Sequence, residues 1–158
     1  MTRRRAIHPG FAVLLSLLAA GAVPLSSARA QAAADSSAIT QAALDYIEGW
    51  YEGNAERMER ALHPELAKRI VTTNPRNGRS NLGQQSALTL INNTKGGGGK
   101  ETPVDQQRKD VRILDIFQSA ASVRIDASTW VDYLQLAKWN GRWVIVNVLW
   151  ELHPRPAP

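Results

Sequence analysis

The 158-residue chain contains no cysteine. That absence excludes a disulfide scaffold, a thiolate metal site and a cysteine nucleophile. Histidine is scarce as well. His63 and His153 are the only two beyond residue 30, and no facial carboxylate set accompanies them, so neither a metal nor any other cofactor is expected. There is no Gly-x-Ser-x-Gly elbow of the kind a serine hydrolase needs. There is no basic stripe for phosphate backbones either, which removes nucleic acid from the partner classes. The apolar run Phe11 to Leu25 is shorter than the about 20 residues of a membrane-spanning helix, and internal repeats are lacking.

What the N-terminus does have is the pattern of an export signal. Arg3-Arg4-Arg5 precedes the apolar run, and Ala28-Arg29-Ala30 forms a small-x-small cleavage site before Gln31. Residues 1–30 are therefore expected to be removed, which places the protein in the periplasm or outside the cell, with no membrane anchor after cleavage. The formal charge of +5 belongs mostly to this segment. It holds four arginines and no acid, which leaves 15 Lys+Arg against 14 Asp+Glu in the remainder. About 128 residues remain, enough for one domain with a core of its own. Residues 31–36 read as a disordered leader, 37–153 as the domain and 154–158 as a tail.

The strongest local signal lies near the C-terminus. Trp130 to Lys138 and Trp143 to Leu152 are two runs rich in β-branched and aromatic residues, joined by a turn at Trp139-Asn140-Gly141-Arg142 whose two loop residues are Asn140 and Gly141. That dipeptide suits the positive φ angles of a type I′ hairpin turn. Uninterrupted pairing from this turn puts Leu136 opposite Ile145, Leu134 opposite Asn147 and Asp132 opposite Leu149. Side chains alternate between faces. One face then carries Trp130, Asp132, Leu134, Leu136, Trp143, Ile145, Asn147 and Leu149. The other carries Tyr133, Trp139, Val146 and Trp150 among others. Both faces are apolar enough to need a cover.

Upstream, Ile39, Ala43, Tyr46, Ile47 and Trp50 fall on one face of a helix that Ser36 or Ser37 can cap and Gly53 can end. Asn54 can cap a second helix, Ala55 to Leu62. Glu65 to Thr73 alternates like a short strand. Asn81 with Gln84 resembles a capping box for a third helix reaching Asn92. Thr94 to Asp105, with Gly96 to Gly99, reads as a flexible connector. Lys100 after the glycines does not make a phosphate loop, because Thr94 and Glu101 occupy the wrong positions. Arg108 to Phe117 and Ser119 to Ser128 read as two further strands. Helices followed by an antiparallel meander make an α+β fold.

Tyr46-Ile47-Glu48-Gly49-Trp50-Tyr51-Glu52-Gly53-Asn54 with Leu62-His63-Pro64, and Asp132-Tyr133-Leu134 with Gly141-Arg142-Trp143-Val144-Ile145-Val146-Asn147, resemble the "putative lumazine-binding" family of the nuclear transport factor 2-like (SnoaL-like) superfamily. The resemblance spans residues 37–153. It implies a cone-shaped fold in which three N-terminal helices pack on a strongly bent, mainly antiparallel sheet and leave a pocket. The superfamily includes isomerases, dehydratases, cyclases and non-catalytic binders, so the fold does not name a reaction.

The polar candidates follow from the expected faces. Asp132 among apolar neighbours could act as an acid or base, or sit bonded at the sheet rim. Asn147 could point at a ligand carbonyl, or make a structural contact. His63 at a helix end could shuttle a proton, or simply finish the helix. Tyr46, Trp50 and Trp130 are candidate pocket walls. The favoured reading is an exported protein that binds a small apolar or cyclic molecule. It would dimerise through the sheet face that holds Tyr133, Trp139, Val146 and Trp150. The alternatives are an isomerase- or dehydratase-like enzyme with Asp132 or His63 as general base, and a protein-interaction module.

Overall fold

The computed structural model of the chain describes residues 25–154. The basic and apolar parts of the expected export signal, through Pro24, lie outside that range. Helix α1 is Leu25–Glu52. It therefore begins before Ser36 and runs through the segment expected to be a loose leader. The correction has a local cause. Ala28, Ala30 and Ala32 to Ala34 are strong helix formers, and Asp35 is tied down. Its Oδ1 accepts from Lys138 Nζ at 2.7 Å and from Trp143 Nε1 at 2.9 Å. Ile39, Ala43, Tyr46 and Ile47 are buried along the expected face, and Trp50 is half-buried.

Gly53 ends α1 with φ of +65°. Asn54 then caps α2 (Ala55–Ala61), its side chain accepting from the Arg57 backbone N–H at 3.1 Å. Strand β1 follows directly as Leu62–Thr73 and turns back into β2, Ser80–Ser86. This overturns the helix expected from Asn81. Residues 80–86 pair antiparallel with Ala67 to Thr73, and Gln84 Oε1 accepts from Arg69 Nε across that pair. The helix cap is Ser86 instead, whose hydroxyl accepts from Thr89 N at 3.2 Å to start α3 (Ala87–Lys95). Strands β3 (Lys109–Phe117), β4 (Ala120–Ala127), β5 (Trp130–Trp139) and β6 (Arg142–Leu152) follow as the last strands among the described residues.

The six strands form one sheet in the order β2-β1-β6-β5-β4-β3, antiparallel except where β1 lies parallel to β6. Register shifts interrupt the β1–β6, β3–β4 and β5–β6 ladders. Such bulges bend and twist a sheet, and here the three helices fill its inner face. This is the expected α+β architecture, helices on a bent, mainly antiparallel sheet. The core combines Ile39, Ile47 and Met58 from the helices with Val123, Ile125, Leu134, Ile145 and Val148 from the sheet.

The hairpin turn is as expected, with positive φ at both Asn140 and Gly141. The pairing holds only as far as Leu136 opposite Ile145. The ladder then skips Val146, so Gln135 faces Asn147, Leu134 faces Val148 and Asp132 faces Trp150. A one-residue slip exchanges the two faces of everything beyond it. Val148 and Trp150 therefore join the inner face with Asp132 and Leu134, while Asn147 and Leu149 move to the outer face.

Candidate functional site

The slip in β6 brings Trp150 to the inner side, where it meets residues from α1 and β1 around a cavity of about 250 Å³. Tyr46, Ile47 and Trp50 of α1, Met58 of α2 and Leu90 of α3 form the helical wall. Lys68 of β1, Gln85 of β2, and Trp130 and Trp150 of β5 and β6 form the sheet wall. Thr129 and Leu152, both exposed, lie at the rim. The lining is thus mostly aromatic and aliphatic, with a few polar groups. That is the usual composition of a small-molecule site.

The polar centre is built on Asp132, which is completely buried. Its Oδ1 accepts from Lys68 Nζ at 2.7 Å. Its Oδ2 accepts from Trp130 Nε1 at 2.6 Å and from Tyr46 Oη at 3.2 Å. Lys68 Nζ also donates to Tyr46 Oη at 2.6 Å. The same ammonium lies 5.3 Å from the centre of the Tyr46 ring and 4.9 Å from that of Trp150, within range of cation–π attraction. Burial pushes Lys68 below the ordinary lysine value, and the Asp132 charge and hydrogen bond pull it back up. Burial, then the Asp132 charge and hydrogen bond, hold the Tyr46 phenol well above its ordinary value. Tyr46 therefore stays a neutral relay between ammonium and carboxylate.

The residues singled out from sequence separate into two groups. Tyr46, Trp50 and Trp130 line the cavity. Asp132 stands behind them, with both oxygens engaged by donors on the cavity wall. It is not a bare carboxylate among apolar groups. Asn147 is on the opposite face because of the bulge. Its Oδ1 accepts from Arg69 NH1 at 2.7 Å, and its amide donates to Gln135 Oε1. His63 is also absent from the cavity. Its Nδ1 accepts from the Glu65 backbone N–H at 3.1 Å, and its ring stands edge-on to Trp139 at 4.9 Å. Among the described residues, no group of three His, Cys, Asp or Glu side chains could hold a metal ion.

Lys68 was missed, although its signal was present. It shares a strand face with Leu66 and Ile70, two residues to either side, so it lies on the apolar side of an amphipathic strand. A charge in that position needs a buried partner. Trp150 was missed because the bulge is not written in any turn residue. The Gly96 to Gly99 segment also has a different role from a flexible connector. A Cβ on Gly98 would strike the Trp50 ring, and one on Gly99 would strike the Trp50 carbonyl oxygen and Cδ1. The glycines let the backbone press against Trp50 from behind and hold it as a cavity wall.

A family model described as "Putative lumazine-binding" matches residues 34–151. Solved structures align over most of the chain. A nuclear transport factor 2-like protein of unknown function from Shewanella baltica is 21% identical, with a TM-score of 0.59 over 78% of this chain and 97% of that one. One from Methylobacillus flagellatus is 22% identical, with a TM-score of 0.57 over 77% and 94%. A nuclear transport factor 2-like protein with a cystatin-like fold from Novosphingobium aromaticivorans is 11% identical, with a TM-score of 0.63 over 87% and 94%. At these identities the structures bear on the fold alone. None of the curated proteins compared with the chain matches it. The chain belongs to the "putative lumazine-binding" family and has the nuclear transport factor 2-like fold.

Proposed function

We propose that this is an exported small-molecule-binding protein whose ligand lies in the cavity between α1 and the bent sheet. One observation carries the reading. An apolar cavity walled by Trp50, Trp130 and Trp150 holds a buried ammonium, Lys68, on its wall. Three indoles favour a flat ring, through offset or edge contacts. An ammonium offers hydrogen bonds to a carbonyl or an oxyanion. About 250 Å³ lies just below the usual range for ligand pockets, which suits one or two fused rings. A pteridine-dione such as lumazine has that size, flatness and carbonyl chemistry.

The test is calorimetric titration of lumazine into the protein. The expected result is saturable binding at one ligand per chain, weakened at least tenfold (about 1.4 kcal/mol) by Trp130→Ala. Asn147→Leu, on the outer face, should leave the affinity unchanged. If wild type fails to bind lumazine and every other fused-ring carbonyl compound tried, the reading is wrong.

Export and self-association complete the proposal. Arg3-Arg4-Arg5, the apolar run and Ala28-Arg29-Ala30 support removal of the first thirty residues in transit. On the outer sheet face, Val71, Tyr133, Trp139 and Leu149 are about half exposed. They support a homodimer through that face, with Trp150 no longer part of it. No helix among the described residues is long and apolar enough to cross a membrane. The enzyme alternative with Asp132 or His63 as base has less support. His63 is away from the cavity, and Asp132 reaches it only through Lys68, Tyr46 and Trp130.

A further inference from the structure

Lys68 is the only lysine or arginine among the described residues that is buried, at 7% exposure. Stability does not account for it. Asp132 already receives two hydrogen bonds, from Tyr46 and Trp130, without the ammonium. A buried ion pair can usually be replaced by well-packed apolar residues at no loss, or with a gain. A lysine kept on the apolar side of β1, with its Nζ on the wall of an aromatic cavity, calls for a chemical reason. A primary amine desolvated in an apolar pocket is the usual setting of a nucleophilic lysine. The groups such an amine needs are also in reach, namely a carboxylate at 2.7 Å and a phenol at 2.6 Å.

We propose that Lys68 forms a reversible Schiff base with an aldehyde or ketone ligand seated among Trp50, Trp130 and Trp150. This rests on the ligand-binding reading above and narrows it: the lactam carbonyls of lumazine do not condense with amines, so the reactive class is a fused-ring aldehyde or ketone, and lumazine itself would occupy the cavity without a covalent bond. The ammonium passes one proton to Asp132 Oδ1. The free amine attacks the carbonyl carbon, forming the C–N bond and pushing the π pair onto oxygen. That oxygen takes a second proton from the same nitrogen, relayed by Tyr46 Oη, to give a carbinolamine. The proton held by Asp132 then goes to the hydroxyl, which leaves as water while the nitrogen lone pair forms C=N. The iminium keeps the third proton. One ammonium and one carbonyl compound become one iminium and one water, with no oxidant or reductant. The positive charge begins and ends beside Asp132, so the buried counter-ion serves both states.

The probe is 2-naphthaldehyde, added to the full chain with cyanoborohydride. The reagent delivers hydride to the iminium carbon and fixes it as a secondary amine. Peptide mass spectrometry then locates the naphthylmethyl group. The expected label is on Lys68, at least tenfold above the exposed Lys95, Lys100 and Lys109. An excess of 2-naphthalenemethanol, which has the ring but no carbonyl, should protect Lys68 and leave the surface lysines as before. Lys68→Arg should lose the label from that peptide. Binding of the alcohol alone is followed by native mass spectrometry. If the alcohol binds and Lys68 is labelled no faster than the surface lysines, the covalent step is wrong and the binding reading survives. If neither compound is retained and Lys68 stays unlabelled, both are overturned.

Discussion

Asp45 and Asp132 are both buried carboxylates held by cations, yet they serve different ends. Asp45, on α1, accepts from Arg60 Nε at 2.8 Å, from Arg57 Nε at 3.2 Å and from Gln41. Arg57 also reaches Glu48 and Glu52, and Glu48 accepts from Lys109 at 3.0 Å. Every cation of that cluster touches solvent and has a second acid or water to turn to. It is a pin that holds α2 against α1. Asp132 is held by an ammonium, a phenol and an indole, and among the described residues Lys68 has no second acid partner. Its ammonium also faces the rings of Tyr46 and Trp150, beside the cavity. Guanidinium groups, planar and rich in donors, suit a fixed pin. An ammonium on a flexible stem suits a group that changes partners.

The comparison breaks most clearly in a pair of isosteric substitutions. Asp132→Asn leaves the Lys68 ammonium buried without a counter-charge and should cost about 3–5 kcal/mol, the usual penalty for orphaning a buried charge. Asp45→Asn leaves Arg57 with Glu48 and Glu52 and should cost about 1 kcal/mol, because the cluster is partly screened by solvent. Urea denaturation of the two variants reads both values. Equal losses would mean that the two carboxylates do the same work. Replacing Asp132 and Lys68 together by Leu and Met should recover only part of the loss, since both charges leave the core but the Tyr46 hydroxyl and the Trp130 N–H lose their acceptor.

The two clusters were also unequally legible. The α1 face, the Asn54 cap and the Asn140-Gly141 turn follow from spacing and backbone preference, which act within a few residues. The cavity walls Tyr46, Trp50 and Trp130 were readable for the same reason. The bulge at Val146 was not. No glycine or proline marks it, and it is set by how β6 meets both β5 and the parallel β1. That single skipped residue removed Asn147 from the site and admitted Trp150. Ser80 to Ser86 is polar and reads as a helix start until β1 supplies its pairing partner. Lys68 could have been found by asking which charge lies on an apolar strand face.

A smaller effect should appear at Trp50, where the cavity wall depends on backbone packing. Gly98→Ala sets a methyl group against the Trp50 ring with no free space between them. Overpacking of this kind costs about 1–3 kcal/mol. Because the ring is also a cavity wall, ligand affinity should fall along with the urea midpoint. Loss of stability with unchanged affinity would mean that Trp50 does not contact the ligand.

The subtlest test separates the clusters by pH. Desolvation pushes Asp45 up, but Arg60 and Arg57 outweigh it and leave the carboxyl below its ordinary value. Desolvation is likewise outweighed at Glu48, by Arg57 and Lys109. A carboxyl depressed in the folded state contributes stability that is present above its unfolded pKa of about 4 and lost as the pH falls through the folded one. The outer pin should thus supply part of an acid limb below about pH 4. Lys68 has the opposite sense. Its folded value lies below the ordinary one, so the unfolded chain binds more protons and stability rises with pH up to about 10.4, the free lysine value. Tyr46, raised in the fold, contributes stability that is present below its free value of about 10 and lost as the pH climbs through the folded one. Urea midpoints across pH should then show Arg57→Ala flattening the acid limb and Lys68→Met flattening the rise below pH 10. If Arg57→Ala changed the alkaline side instead, the division of labour between the two clusters would be wrong.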